Sequence, residues 1–331
     1  MNTDQLTQNS TLFTARAQGC LIGLAAGDAL GDAGRSNLYR NRYGIVTDLY
    51  DGLKGTDDTE FAILTARALI DGKGSLTPQV VLDAWRKYIL EQGGILERAG
   101  KPLYGAVENL RRGILPPLSG RDNVMNDDDG AAMRAAPIGI VCAGQPQRAA
   151  ELAAIDAQVS HADDGILAAQ AVAASVAVAM LGASVEEVFE AGMQQIPADS
   201  WLGRAMQRCQ AICRASDGIE EAWESLHHQF WTPAHAASPE AIPQVYGVFL
   251  LTGGDFRKGL FWAANFGRDA DTIAAIVGAL NGARHGIEAI PQHWVERLRR
   301  PGGVSLRFTA EEDLLELANS LAQLAMQSII K

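Results

Sequence analysis

Aromatic residues are scarce, 6% of the 331-residue chain, whereas Gly alone occurs 34 times and Ala abounds. Few rings and many small side chains favour closely packed helices over a sheet-based core. Cysteines number four, too few in a chain this long for a disulfide framework. Cys209 and Cys213 would share a helix face, but no His or Cys follows at zinc spacing, so they read as small buried hydrophobes. Basic charge is short as well: 28 Lys and Arg against 39 Asp and Glu leave a formal net charge of −11. A nucleic-acid partner needs a basic surface to neutralise phosphates, and this balance argues against one. It suits a soluble protein that could hold divalent cations. Long apolar runs are missing. The least polar stretch, 166–181, is rich in Ala, carries Gln170 and is too short and small-sided for a membrane span. The first ten residues are polar, without the basic-then-apolar pattern of a signal peptide. These absences imply a reducing, cytoplasmic setting and no membrane partner.

What is present is helical periodicity almost throughout, in a chain that is 47% hydrophobic. That content can bury one large core, and no linker or charge block divides residues 1–331, so one domain and a monomer are the default expectations. The spacing of apolar residues predicts helices over 14–30, from Thr59 onward, and from Pro78, where Thr77 would be the N-cap. It predicts further helices over 103–112, 131–143, 148–158, 166–181, 185–194, 202–215, 220–230, 242–251, 256–265, 272–284 and 311–329. Runs of alternating β-branched residues are missing, and the fold class is all-α. Two long polar loops stand out, 32–55 and 116–130; loops of that length in a compact domain are commonly functional.

Two short segments carry the chemistry: Gly55-Thr56-Asp57-Asp58-Thr59 and Asp269-Ala270-Asp271-Thr272. Each packs two carboxylates and at least one Thr hydroxyl into the start of an apolar, small-residue helix. Either alone reads as a cap, since Asp and Thr are preferred there and acids suit the positive helix end. A cap uses one side chain, however, and each segment offers three oxygen-bearing groups. Carboxylates this close repel unless a cation, a proton or water relieves them. Hard oxygen donors suit Mg²⁺ or Mn²⁺. Were the two helix starts to converge, they could hold two ions a few ångströms apart and activate water. Asp28, in Gly27-Asp28-Ala29-Leu30-Gly31, is a third acid, which could orient metal-bound water from behind the ligands or cap the following loop.

At this point the chain resembles the ADP-ribosylglycohydrolase family over roughly 19–294. The matching elements, in order, are 27–31, Thr56-Asp57-Asp58-Thr59, Gly130-Ala131-Ala132-Met133-Arg134 with Ala135-Ala136-Pro137, Ser160-His161, and 265–272. The resemblance implies an orthogonal, single-domain all-α fold with a binuclear Mg²⁺ or Mn²⁺ cleft. It implies Thr56, Asp57 and Asp58 as ligands from one side and Asp269, Asp271 and Thr272 from the other. It also implies hydrolysis at ribose C1′ of an ADP-ribosyl group, on a small molecule or a protein, with Asp58 or Asp271 as the base. Gly130, Ala131 and Met133 would meet the ribose-phosphate portion at a helix start, and His161 would lie near the ligand or be structural. Pro137 is expected to kink its helix.

Two departures bear on substrate. Asp127, Asp128 and Asp129 stand where many members have Gly-Asn, so they would repel a pyrophosphate or instead bind a cationic group or reach the metals. Arg35 stands where members commonly place a Glu, and would bind phosphate or replace an acid, with Asp32 or Asp48 as substitutes. A smaller N-riboside is therefore an alternative substrate, and a non-catalytic binding relative a second alternative. An all-α prenyl-diphosphate enzyme ranks last, because the chain lacks two Asp-Asp-x-x-Asp motifs.

Overall fold

In the computed structural model, which describes residues 10–329, helices and the loops between them make up the fold. Among those residues 17 α-helices occur and no strand, the nearest approach being an isolated antiparallel bridge between Asp128 and Ala237. In chain order the helices are α1 Ser10–Arg35, α2 Asn37–Tyr43, α3 Asp57–Asp71, α4 Pro78–Tyr88, α5 Lys101–Arg111, α6 Leu118–Arg121, α7 Ala136–Val141, α8 Pro146–Ala157 and α9 Asp163–Ala179. There follow α10 Val185–Met193, α11 Trp201–Ala215, α12 Ile219–His228, α13 Ser238–Leu251, α14 Phe256–Ala264, α15 Ala270–His285, α16 Gln292–Leu298 and α17 Leu314–Ile329. No helix among the described residues is long and apolar enough to cross a membrane. One continuous apolar core runs from Phe13 to Ala325.

Local signals account for many boundaries. Thr77 accepts from the Val80 N–H at 3.2 Å, and Pro78 opens α4 where no hydrogen bond is lost. Ser184 and Glu187 form a reciprocal capping box on α10. Two expectations are corrected, and a further helix was not anticipated. The stretch 131–143 is not one kinked helix: a single 3₁₀ turn, Asp129–Ala131, is followed by α7, and Pro137 sits in its first turn, where it starts a helix rather than bending one. The loop expected from residue 32 begins later, because α1 continues to Arg35 and α2 follows at once. Helix α16 gave no periodic signal, being only seven residues long.

The feature that positions the site is the antiparallel contact between α1 and α15. Small residues line the seam: a Cβ added at Gly27 would lie 1.9 Å from the Ala274 carbonyl oxygen, and one at Gly31 would lie 2.1 Å from that of Ala270. Gly23 and Gly278 face each other as tightly, at 2.3 Å and 2.0 Å. The backbones touch, and only glycine permits such approach. Running antiparallel, the pair brings the start of α15, with Asp269 and Asp271, beside the last turns of α1, with Asp28, Asp32 and Arg35.

Because backbone cannot step aside, Gly27→Ala is expected to destabilise the protein by about 3 kcal/mol, the upper range for overpacking a core. Chemical denaturation checks this as a lower midpoint at unchanged slope; an unmoved midpoint would mean the helices separate at no cost.

Candidate active site

The two acid-bearing helix starts converge. Asp57, Asp58 and Asp271 present ligand atoms that all lie within 4.8 Å of one another, and all three side chains are buried. They form the floor of a cleft of about 530 Å³ whose wall includes Asp128, Asp129, Gly130, Met133, Asp269 and Thr272. Neither helix start uses its own N-cap side chain for capping: Thr56 and Asp269 make no side-chain hydrogen bond of that kind. Capping of α3 comes instead from α1. Asp28 accepts from the Thr56 N–H at 2.5 Å and the Thr59 N–H at 3.0 Å, and from the hydroxyls of both threonines at 2.6 Å. Asp28 is fully buried with its oxygens spent on these four donors, so it holds the Thr56–Thr59 turn in place from outside the cleft.

The remaining residues singled out from sequence divide between cleft and scaffold. Thr56 is buried behind the floor, its hydroxyl 2.6 Å from Asp28 and 3.3 Å from Asp57 Oδ1. Asp128 turns inward, accepting from the Gly130 N–H at 2.9 Å and pairing with His161 Nε2 at 2.7 Å. His161 is fully buried, its Nδ1 at 2.7 Å from Ser160 Oγ. Ser160 also accepts from Arg134 at 3.0 Å, and Arg134 reaches Asp156 at 2.7 Å and the Gly130 carbonyl at 3.0 Å. This buried chain of polar contacts fixes the 128–131 turn. Asp127, Ala131 and His161 stand outside the cleft wall.

Three residues at the site carried no signal in the sequence reading or a different one. Arg98, in the loop before α5, spans three acids: Asp32 at 2.6 Å, Asp57 at 3.0 Å and Asp271 at 2.6 Å. Arg35 places one nitrogen 2.8 Å from Asp269 Oδ1 and in contact with Asp271 Oδ1. His235, half exposed on the wall, lies 3.3 Å from Asp269 Oδ1; burial, with Arg35 and Arg268 nearby, lowers its pKa. A lone Arg in a Gly-rich loop and a lone His carry no periodic mark, so contact alone identifies them.

Even with two guanidinium groups the floor is overloaded with carboxylates. Asp58 Oδ1 and Asp129 Oδ2 are buried with no hydrogen-bond partner. Burial and the neighbouring carboxylates of Asp28, Asp271, Asp57 and Asp269 push Asp58 well above the ordinary carboxylate range. Burial, followed by Asp269 and Asp128, does the same to Asp129. Asp28 is raised to about 7 by burial against the hydrogen bonds from Thr56 and Thr59. Asp269 is also raised to about 7, by burial and Asp271 against the pull of Arg35. Unpartnered buried oxygens among hard donors fit a divalent cation.

Fold and site thus define an all-helical protein, among the described residues, with a carboxylate-floored cleft. The ADP-ribosylglycohydrolase family model matches residues 9–329. The chain is 32% identical over 322 residues to an uncharacterised protein of Archaeoglobus fulgidus, covering 94% of this chain and 97% of that one. It is 26% identical to the ADP-ribosylarginine hydrolase Tri1 of Pseudomonas putida, over 86% of this chain and 74% of that protein. A solved structure of an ADP-ribosylglycohydrolase-related protein complex shares the fold with a TM-score of 0.67 at 24% identity, over 95% of this chain and 99% of that one. The chain belongs to the ADP-ribosylglycohydrolase family, a family of hydrolases.

A carboxyl whose pKa is raised on folding binds a proton in the native state that the unfolded chain has released. The stability linked to it is complete below the unfolded value and is lost as pH climbs through the folded one. For Asp28 and Asp269 that window runs from the ordinary 3.8 to about 7. The metal-free protein is expected to melt at falling temperature across this window, and Mg²⁺ or Mn²⁺ to flatten the slope. Thermal melts with and without the ion measure it; parallel slopes would show that no cation relieves the cluster.

Proposed function

We propose that the chain hydrolyses the glycosidic bond at ribose C1′ of an ADP-ribosyl group, carried on arginine or a similar leaving group, with Mg²⁺ or Mn²⁺ in the cleft. The observation that carries this reading is the buried Asp57–Asp58–Asp271 cluster, with an unpartnered oxygen on Asp58, at the base of a cleft in a member of this family. The arginine preference draws on the relative from Pseudomonas putida, which is named for that substrate. Thr56, Asp57 and Asp58 from one helix start, and Asp269, Asp271 and Thr272 from the other, are the groups that would hold the cation or cations. Bound there, the metal would supply positive charge to grip the ribose hydroxyls and acidify a water.

The chain's own residues then divide the work. Asp58, with no donor on its Oδ1, would hold the cation through one carboxylate oxygen and accept a proton from the attacking water with the other as positive charge grows at C1′. Asp271 has both oxygens engaged, Oδ1 by Arg35 and Oδ2 by Arg98, and its role is to hold and orient. Asp28, through Thr56 and Thr59, keeps Asp57 and Asp58 aimed into the cleft.

A smaller N-riboside is the second reading, favoured by the wall beside the 128–131 turn. The Gly130 N–H is already spent on Asp128, and the Asp129 N–H on the Ala236 carbonyl. A pyrophosphate there would meet Asp128 and Asp129 with those two amides occupied. Cations in the lining are Arg35, Arg98 and Lys101.

ADP-ribosyl-arginine incubated with the Mg²⁺-loaded protein should release ADP-ribose, and Asp58→Asn should lower kcat by about 10²- to 10⁴-fold, the usual contribution of a general base. An unchanged kcat in that variant removes Asp58 from the proton transfer. Calorimetric titration of ADP-ribose, with ribose as comparison, separates the two substrate readings. Micromolar binding of ADP-ribose supports the first, and its absence with metal binding intact supports the second.

A further inference from the structure

The carboxylates of the cleft are not equally in need of a cation. Arg35 puts one nitrogen between Asp269 and Asp271, 2.8 Å from Oδ1 of the first and in contact with Oδ1 of the second. A donor atom placed between single oxygens of two carboxylates stands where an ion bridging those two carboxylates would stand. On the other side, Asp57, Asp58 and Asp271 bring ligand atoms within 4.8 Å of one another, and Asp58 Oδ1 is buried with nothing bonded to it. Arg98 also meets Asp57 Oδ1 and Asp271 Oδ2, but through separate nitrogens, so no single donor atom bridges that half of the cluster and Asp58 is left without a counter-charge of its own.

We propose that Arg35 is a built-in cation, so that the chain binds one divalent ion, at Asp57–Asp58–Asp271, and the guanidinium takes the place of a second on Asp269–Asp271. The inference rests on the metal-assisted reading of the cleft and specifies how its charge is met. A guanidinium stays protonated at any ordinary pH, so it cannot vacate the pair by losing its charge. Its bonds to two ionised carboxylates are of the strong, charge-assisted kind. A second divalent ion would have to displace that group and then sit beside it, like charge against like charge. Asp271 serves both halves: Oδ1 accepts from Arg35 and Oδ2 from Arg98, and it still brings a ligand atom within 4.8 Å of those of Asp57 and Asp58. Arg98 closes the same cluster from the loop side through Asp32, Asp57 and Asp271, without lying between Asp269 and Asp271.

The test is stoichiometric and needs no substrate. Mn²⁺ is titrated into the metal-stripped full chain, followed by calorimetry and by electron paramagnetic resonance, for the wild type, Arg35→Gln and Arg35→Glu. The wild type should take up one Mn²⁺ per chain with the spectrum of an isolated ion. Arg35→Glu, which returns a carboxylate to the position, should take up two with the spin–spin coupling of a close pair. Arg35→Gln, which keeps donors without charge, should gain measurable affinity for the second ion. Two coupled ions in the wild type would overturn the inference. One ion in the wild type and in both variants would overturn the role of Arg35 while leaving the metal reading standing. No binding by the wild type at millimolar Mn²⁺ would sink the metal reading itself. Circular dichroism confirms that each variant is folded; if Arg35→Glu is not, the wild-type spectrum and Arg35→Gln decide the matter.

Discussion

The site depends on the close antiparallel contact of α1 with α15. Four turns of small residues let the two backbones meet without intervening side chains, and nothing wider than a glycine fits at Gly27 or Gly31. Direct backbone contact fixes the register as well as the distance, because each glycine lies against one particular carbonyl of the facing helix. The register is what sets Asp28, Asp32 and Arg35 at the end of one helix opposite Asp269 and Asp271 at the start of the other. Most helices bury an apolar stripe and leave their ends to solvent. Here the pair is buried along much of its length, and its polar end opens on the cleft.

Gathering Asp28, Asp57, Asp58, Asp129, Asp269 and Asp271 in a buried place is costly, and the fold offsets the cost in two ways while leaving part of it unmet. Asp28 is satisfied by four donors from α3 and its cap. Asp269 and Asp271 are met by guanidinium groups. Asp58 and Asp129 each keep one buried oxygen with no partner. An unpaired buried carboxylate is among the least favourable groups a protein can hold. Groups of this kind cluster where a ligand or a reaction uses them, so the two open oxygens, rather than the number of acids, single out this part of the cleft as the candidate site.

Much of this could be read from the chain before any coordinates. The all-helical class followed from periodicity and from the shortage of rings and β-branched alternation, and the acids at residues 57, 58, 269 and 271 stood out because each pair opens an apolar helix. The structure resolves the ambiguity over caps: neither Thr56 nor Asp269 caps its own helix. What sequence did not convey were relations set only by packing. Arg98 comes from a loop between α4 and α5 with no pattern of its own, and His235 from the turn before α13. Residue 32 looked like the start of a polar loop, since Asp, Gly and Arg follow, yet α1 continues because Ala33 is buried and Gly34 lies against the Ala264 carbonyl. The 127–129 acids read as one cluster, whereas the chain separates them. Asp128 caps a turn and pairs with His161, Asp129 faces the cleft, and Asp127 lies outside its wall.

The separation of capping from holding explains why acids can sit at two helix starts and still be available. A carboxylate bonded to the N–H groups of its own helix has its lone pairs occupied and its direction set along the helix axis. Asp28, reaching from α1, takes the donors at Thr56 and Thr59, so Asp57 and Asp58 keep the favourable field of the α3 N-terminus while neither takes those two amides. That field lowers the cost of holding charge there, while burial and mutual repulsion raise it, and for Asp58 the second effect is the larger. The same side chain type thus serves two ends according to how many donors face it. With four donors Asp28 becomes scaffold, and with none on its Oδ1 Asp58 keeps a carboxylate oxygen unpartnered. The distinction lies in the packing of α1 against α3 and α15, which returns the chemistry of the cleft to the seam of small residues that built it.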